Sequence, residues 1–269
     1  PDGAGWIRAG VTLHSMAQHS SGLTRESPSL FDDWTEERIM MYVNKMPLLY
    51  PPYSTSRYSN LGIDFIGRCI QRAANITYED WVQRMILDPI GMSSAGFSFP
   101  SDVVARMPVG YTIANGEQVV IPQYSWPLFW SAPAGAMRAS PSDMAKFMRH
   151  IFAAQRTPDD SACSATQPPK PGDKCVLSRS RWFEWMQGGA LQRNGISGFG
   201  LGTFEQAYSN GYWVQTKGGL LAGFGSTMAL VPELELGVFV VVNMNTGSIS
   251  QVRRSSMLPR NERPAHSFE

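Results

Sequence analysis

Charge is scarce in this sequence. Lys, Arg, Asp and Glu make up 17% of 269 residues, 23 basic against 22 acidic, for a formal net charge of +1. That balance offers no basic patch for nucleic acid and no net field to hold an anionic membrane surface. Long apolar runs are missing too: the strongest, Leu236 to Val242, is far shorter than a membrane-spanning helix requires. Cysteine is limited to Cys69, Cys163 and Cys175, with neither a CxxC pair nor the density of a disulfide scaffold. His14 and His19, five residues apart, fall on different sides of a helix, so no zinc pair is expected, nor any organic cofactor. There is no Gly-x-Ser-x-Gly elbow and no Gly-Lys-Ser or Gly-Lys-Thr phosphate loop. Gly218 to Gly223 lacks the strand–loop–helix setting of a dinucleotide site. Collagen, coiled coil, disordered tail and membrane channel are excluded by composition.

What is present is apolar material for a core, 43% hydrophobic and 11% aromatic, enough for one large domain or two small ones. Helix signals dominate the first half. Leu61, Phe65, Ile66, Cys69, Ile70 and Ala73 form one apolar stripe. Thr77 and Asp80 read as a capping box ahead of Tyr78, Trp81, Val82, Met85 and Ile86, with Pro89 and Gly91 as the stop. Ser140-Pro141 opens a helix that buries Met144, Phe147, Met148, Ile151 and Phe152. A short helix runs from Arg179 to Gln187 and stops at Gly188-Gly189. Composition between Thr157 and Lys174 shifts to Pro, Asp, Ser and Lys, as in a surface loop. Beyond Ser197 the period becomes that of short strands: Gly200 to Glu205, Tyr212 to Thr216, Ser226 to Val231 and Gly237 to Asn243. The all-apolar last strand should be central in a complete sheet and, without its neighbour, an aggregation-prone edge here. Helices followed by an antiparallel meander make the fold class α+β.

Two short motifs carry the chemistry. Tyr58-Ser59-Asn60 sits at the start of the helix beginning near Leu61, and Lys217-Gly218-Gly219 at the end of a strand. Composition alone yields either by chance, so their order in the chain decides. His19-Ser20-Ser21-Gly22-Leu23 comes first, then Tyr58-Ser59-Asn60-Leu61-Gly62 and Asp88-Pro89-Ile90-Gly91-Met92. Ala134-Gly135-Ala136-Met137 then leads into Ser140-Pro141-Ser142-Asp143-Met144. Lys217-Gly218-Gly219 and Gly223-Phe224-Gly225-Ser226 close the series.

From about residue 11 to 245 this series resembles the serine β-lactamase and penicillin-binding-protein superfamily, in its class C-like branch. The resemblance implies a β-lactamase/transpeptidase-like fold, an antiparallel sheet flanked by helices plus a helical subdomain. It implies one domain over 1–245: a mostly helical part (11–156), a surface loop or insertion (157–178), a sheet part (198–245) and then a polar tail (246–269). It also implies acyl transfer, in which a serine hydroxyl, a poor nucleophile at neutral pH, needs an adjacent base. Tyr58 would be that partner, with Lys217 as the cation that stabilises a phenolate and steers substrate. Asn60 would bond a substrate amide. The backbone N–H of Leu220 would serve an oxyanion hole, and Gly218 and Gly219 would let a substrate lie along the strand edge. The implied partner is a small-molecule or peptide substrate. The bland alternatives are Tyr58 as a core aromatic, Asn60 as a helix cap, Lys217 as a surface lysine and His19 as a structural hydrogen-bonder. Trp126, Phe129 and Trp130 read as core or as a substrate rim.

One family element is missing. The five lysines are preceded three residues earlier by Tyr42, Asp143, Gln167, Pro171 and Val214, so no Ser-x-x-Lys exists. The expectation is a family member incomplete at its N-terminus, with a binding protein on the same fold as the second reading. The family is mostly exported, which implies a secreted or extracellular setting. The sequon Asn75-Ile76-Thr77 and a Cys163–Cys175 loop agree with it, although unrelated reduced thiols remain the other reading of the cysteines.

Overall fold

The computed structural model describes residues 10–27, 34–121, 129–157, 175–187, 189–191, 197–221 and 223–244. The expected loop after Thr157, Cys163, Trp126, Gly188 and the tail 246–269 lie outside them, as does the side chain of Phe129.

The helices begin where side chains can satisfy free amides. In α1 (Leu13–Ala17), Thr12 and Ser15 form a reciprocal capping box. Thr35 caps α2 (Glu36–Val43), an element the sequence reading missed. Ser59, not Asn60, caps α3 (Asn60–Ala74), accepting from the Gly62 amide, and Asn75 ends that helix in a left-handed conformation. Thr77 accepts from the Asp80 amide ahead of α4 (Tyr78–Val82). Pro89 does not stop this stretch as expected. The chain passes through a π-type turn at Gln83–Leu87, where the Asp88 amide bonds five residues back to Gln83. Asp88–Ile90 then continues the helix with Pro89 inside it. An α-helical proline clashes with the carbonyl four residues earlier; the wider turn moves that carbonyl away. Gly91, left-handed, ends the run. Ser140 caps α5 (Pro141–Arg156) and Ser178 caps α6 (Arg179–Met186).

A hairpin, β1 (Gly110–Ala114) and β2 (Glu117–Ile121), is a second missed element. Its signal was present: Asn115 and Gly116 both take positive φ, as a two-residue hairpin turn demands. The remaining strands are β3 (Ala190–Leu191), β4 (Ser197–Phe199), β5 (Glu205–Ser209), β6 (Tyr212–Leu221), β7 (Phe224–Val231) and β8 (Leu236–Val242). They form one antiparallel sheet in sequence order. The strand expected at Gly200 to Glu205 is instead a tight turn, Leu201–Thr203, with Gly202 at positive φ between β4 and β5. As expected for this apolar strand without a further neighbour, β8 is an edge of the sheet among the described residues, and Leu236 and Val238 are about half exposed there.

Strand register sets the faces. Lys217 lies opposite Met228, which lies opposite Phe239, so these three share one side of the sheet. That side packs on α5 and α6 through Met148, Ile151, Phe152, Trp182, Met228 and Leu230. Met144 and Phe147 of α5 also pack on the Val82–Leu87–Met92 cluster, while Leu23, Ile39, Val43, Leu61 and Trp130 form a third. Toward the start of β6, a cavity of about 440 Å³ is lined by Gln155, Trp182, Gln206 and Gln215 among others. The amide oxygens of the three glutamines and the Trp182 indole N–H are buried there without partners among the described residues. Such groups cost stability unless water reaches them. Among the described residues no helix is long and apolar enough to cross a membrane.

One charged group is buried against its own interest. Asp64, on α3, is fully buried with neither oxygen in a well-formed hydrogen bond. Loss of solvent pushes its carboxyl up to about 7, although Ser131 and the Ala134 amide pull the other way. An unfolded Asp ionises near 3.9, so between about pH 4 and 7 the folded state keeps a proton that the unfolded state releases. The stability this proton protects is complete in acid and falls as pH rises to 7, by on the order of 4 kcal/mol. Asp64→Asn should therefore raise the urea midpoint above wild type at pH 8 and leave it near wild type at pH 4. A midpoint difference that does not grow between those pH values would contradict this account.

Candidate active site

The site grows from two segments that lock together. The loop at 19–26 offers backbone carbonyls to the segment entering α3. Arg57 N donates to His19 O (2.7 Å), Ser59 Oγ to Thr24 O (2.7 Å) and Asn60 N to Arg25 O (2.7 Å). Gly22 makes the loop possible: its φ is +82°, and a Cβ there would sit 2.1 Å from Tyr50 O. His19, fully buried, accepts the Ser59 amide on Nδ1 at 3.1 Å. Burial first, then the Lys217 and Arg25 charges, hold its imidazole down to about 3. With Nδ1 as acceptor, the neutral ring carries its proton on Nε2, which has no hydrogen-bond partner among the described residues.

This neutral ring supports Tyr58. The His19 and Tyr58 rings lie 4.3 Å apart, and Phe199 meets His19 edge-on at 4.9 Å. Lys217 reaches the phenol from the sheet side, with Nζ 3.4 Å from Tyr58 Oη and 2.8 Å from the Gly218 carbonyl. The Arg25 guanidinium lies 5.2 Å from the centre of the same ring. The structure thus brings Tyr58 and Lys217 together from 159 residues apart in the chain. Asn60 stands two residues on, its Nδ2 donating to Glu26 Oε2 at 2.7 Å, and Glu26 Oε1 takes Arg25 Nε at 2.9 Å.

β5 pairs with β6 only as far as Thr216, so Lys217, Gly218, Gly219 and Leu220 are bonded to β7 on one side and leave the other backbone edge open among the described residues. A Cβ at Gly219 would sit 2.7 Å from Ser226 Oγ. Leu220 is 60% exposed. Among the described residues no group of three His, Cys, Asp or Glu side chains is gathered as metal ligands are.

The family model for beta-lactamase matches residues 3–257. The chain belongs to the beta-lactamase family. It is 33% identical over 236 residues to beta-lactamase-like protein 2 of Dictyostelium discoideum, covering 84% of this chain and 39% of that one. It is 24% identical over 243 residues to the D-alanyl-D-alanine-carboxypeptidase/endopeptidase AmpH of Escherichia coli, covering 86% and 58%. A class C beta-lactamase from Rhodobacter sphaeroides superposes with a TM-score of 0.69 at 20% identity, over 94% of this chain and 75% of that one. A D-amino acid amidase from Ochrobactrum anthropi gives 0.68 at 19% identity, over 91% and 70%. The fold is therefore β-lactamase/transpeptidase-like. The chain spans about 39–58% of the length of these curated relatives.

Sequence reasoning missed Arg25 and Glu26, because nothing in their spacing ties them to Asn60, 34 residues away. It also passed over a second Tyr-Ser-Asn, Tyr208-Ser209-Asn210. That copy is the turn into β6, with Asn210 and Gly211 at positive φ, and its tyrosine lies on Trp213. Trp130 belongs to the core, 7% exposed and stacked edge-on against Phe65. Cys175 is disulfide-bonded, whereas Cys69 is free and exposed.

Because His19 titrates so low, its ring resonances should stay constant from pH 8 to 5 in an NMR titration. A midpoint near 6.5 would show that the Ser59 bond and the burial are not maintained in solution.

Proposed function

We propose that this chain carries the base-and-cation part of a serine acyl-hydrolase site that works on an amide, ester or peptide. The observation that supports this best is the 3.4 Å approach of Lys217 Nζ to Tyr58 Oη beside the open edge of β6. With the Lys217 ammonium placed against it, the Tyr58 oxygen is the group proposed to take the proton of an attacking serine. The Leu220 amide, beside the open edge, is the proposed oxyanion donor, and a peptide-like substrate would pair along Lys217 to Leu220 as an added strand. No Ser-x-x-Lys occurs in the sequence, so the 269 residues alone bind substrate without turning it over. That same feature favours the second reading, a binding protein that keeps the cleft and has lost the chemistry. The gene sequence upstream of Pro1 separates the two.

Assays with nitrocefin and nitrophenyl esters should find no turnover by this chain. A longer gene product bearing Ser-x-x-Lys should show turnover, lowered roughly 100-fold or more by Tyr58→Phe and by Lys217→Ala. Turnover that survives both substitutions overturns the assignment of those two residues.

The disulfide at Cys175 and the exposed turn at Asn75 also support a secreted setting. Expression through a eukaryotic secretory pathway should give a glycosidase-sensitive mass shift that Asn75→Gln removes. An unglycosylated secreted product would count against Asn75 as an acceptor.

A further inference from the structure

The cavity toward the start of β6 gathers unpaired polar atoms. Eleven buried side-chain nitrogen and oxygen atoms have no hydrogen-bond partner among the described residues, and four of them belong to residues lining this one cavity. They are Oε1 of Gln155, Gln206 and Gln215 and the indole Nε1 of Trp182. The end of α6 decides which part of two glutamines is left over, because the last carbonyls of a helix have no partner within it. Gln206 Nε2 donates to Gln187 O at 3.2 Å, and Gln215 Nε2 donates to Met186 O at 3.3 Å. The two glutamines are cross-strand partners on β5 and β6, so both amides are drawn to the same helix end. Their NH2 groups are used there, and their oxygens remain for a ligand. Gln206, Gln215 and Trp182 are only 1%, 2% and 5% exposed.

Size and lining suit an organic molecule. A volume of about 440 Å³ falls within the range of small-molecule pockets, roughly 300–1,000 Å³, and is about fifteen times the share of one water in the liquid. Trp182, Phe183 and Trp213 supply flat apolar walls. Among the described lining residues the one charged side chain is Glu233, and it is exposed. A cation already stands against one wall, with the Arg179 guanidinium 5.5 Å from the centre of the Phe183 ring.

We propose that this cavity is a binding site for a small neutral molecule that presents a primary amide on a flat apolar body. A primary amide carries two N–H donors for glutamine oxygens and a carbonyl for the Trp182 N–H, leaving the third oxygen to water. A carboxylate brings only acceptors and sets a charge against the amide oxygens. An amidinium brings only donors, leaves the indole N–H unpaired and loses its hydration without a buried counter-charge. Tyr58, Lys217 and Leu220 are not on the lining, so the proposal does not rest on the hydrolase reading. Gln215 stands two residues from Lys217 on the same face of β6, which makes the two sites neighbours.

The experiment titrates the isotope-labelled full chain with benzamide, benzoate, acetophenone and benzamidine, which share a ring and differ in their hydrogen-bonding groups. Benzamide should shift the Trp182 indole N–H resonance to saturation. It should bind about tenfold or more tightly than each of the others, the factor that one unmade buried hydrogen bond produces. Y58F should bind benzamide as wild type does. Q215M, which keeps the length of the side chain and removes its oxygen, should bind it about tenfold or more weakly. If Q215M does not fold, the comparison of probes in wild type decides by itself. A cavity filled by water only, seen as no saturable shift at Trp182 up to the solubility limit of benzamide, overturns the proposal. Equal binding of benzoate or benzamidine, or a wild-type affinity in Q215M, overturns the ligand class. Loss of the shift in Y58F assigns the binding to the cleft and overturns the site.

Discussion

The architecture of the site depends on one hydrogen bond between neutral partners, from the Ser59 amide to His19 Nδ1. The bond requires an imidazole that stays unprotonated, and the surroundings ensure it: the ring is buried and two cations, Lys217 and Arg25, stand near it. A proton on Nδ1 would turn an acceptor into a donor facing a donor, and would add a third positive charge to the cluster. The same two cations that stand against the Tyr58 ring therefore help keep His19 from charging.

Around that bond the loop at 19–26 and the entry to α3 are joined rung by rung, mostly through backbone groups. Backbone pairing fixes position without dictating side chains, which leaves Arg25, Glu26, Tyr58 and Asn60 free to be chosen for what they contact. The sheet supplies the other wall. Register places Lys217 on the face shared with Met228 and Phe239, so the packing that buries α5 also points the lysine at the helical part.

Much of this was legible in the sequence where the physics is local. Ser140 and Thr77 cap as their spacing implies, and the stripes at Leu61–Ala73 and Met144–Phe152 run along helices. Pro89 was misread because the proline rule assumes an α-helical carbonyl four residues back, and the π-type turn at Gln83–Leu87 removes that premise. The run Gly200 to Glu205 was misread because its glycines serve a turn, not a strand. An unbroken apolar run such as Leu236–Val242 reports a preference for burial on both faces, and at the sheet edge it leaves apolar side chains exposed as expected. Tyr58 and Lys217 were legible as a pair only through the order of motifs, and Glu26 was not legible at all, since its partner is set by tertiary structure.

The two copies of Tyr-Ser-Asn show what the motif itself is worth. At 58–60 the serine caps a helix, the tyrosine lies on a buried imidazole, and the asparagine is pinned by a carboxylate. At 208–210 the serine ends a strand, the tyrosine lies on an indole, and the asparagine turns a hairpin. The same three side chains meet a lysine and a carboxylate in one place and form a turn in the other. The difference lies entirely in what stands opposite them. Lys217 Nζ stands 3.4 Å from the first phenol, whereas the ring of the second meets the Trp213 indole.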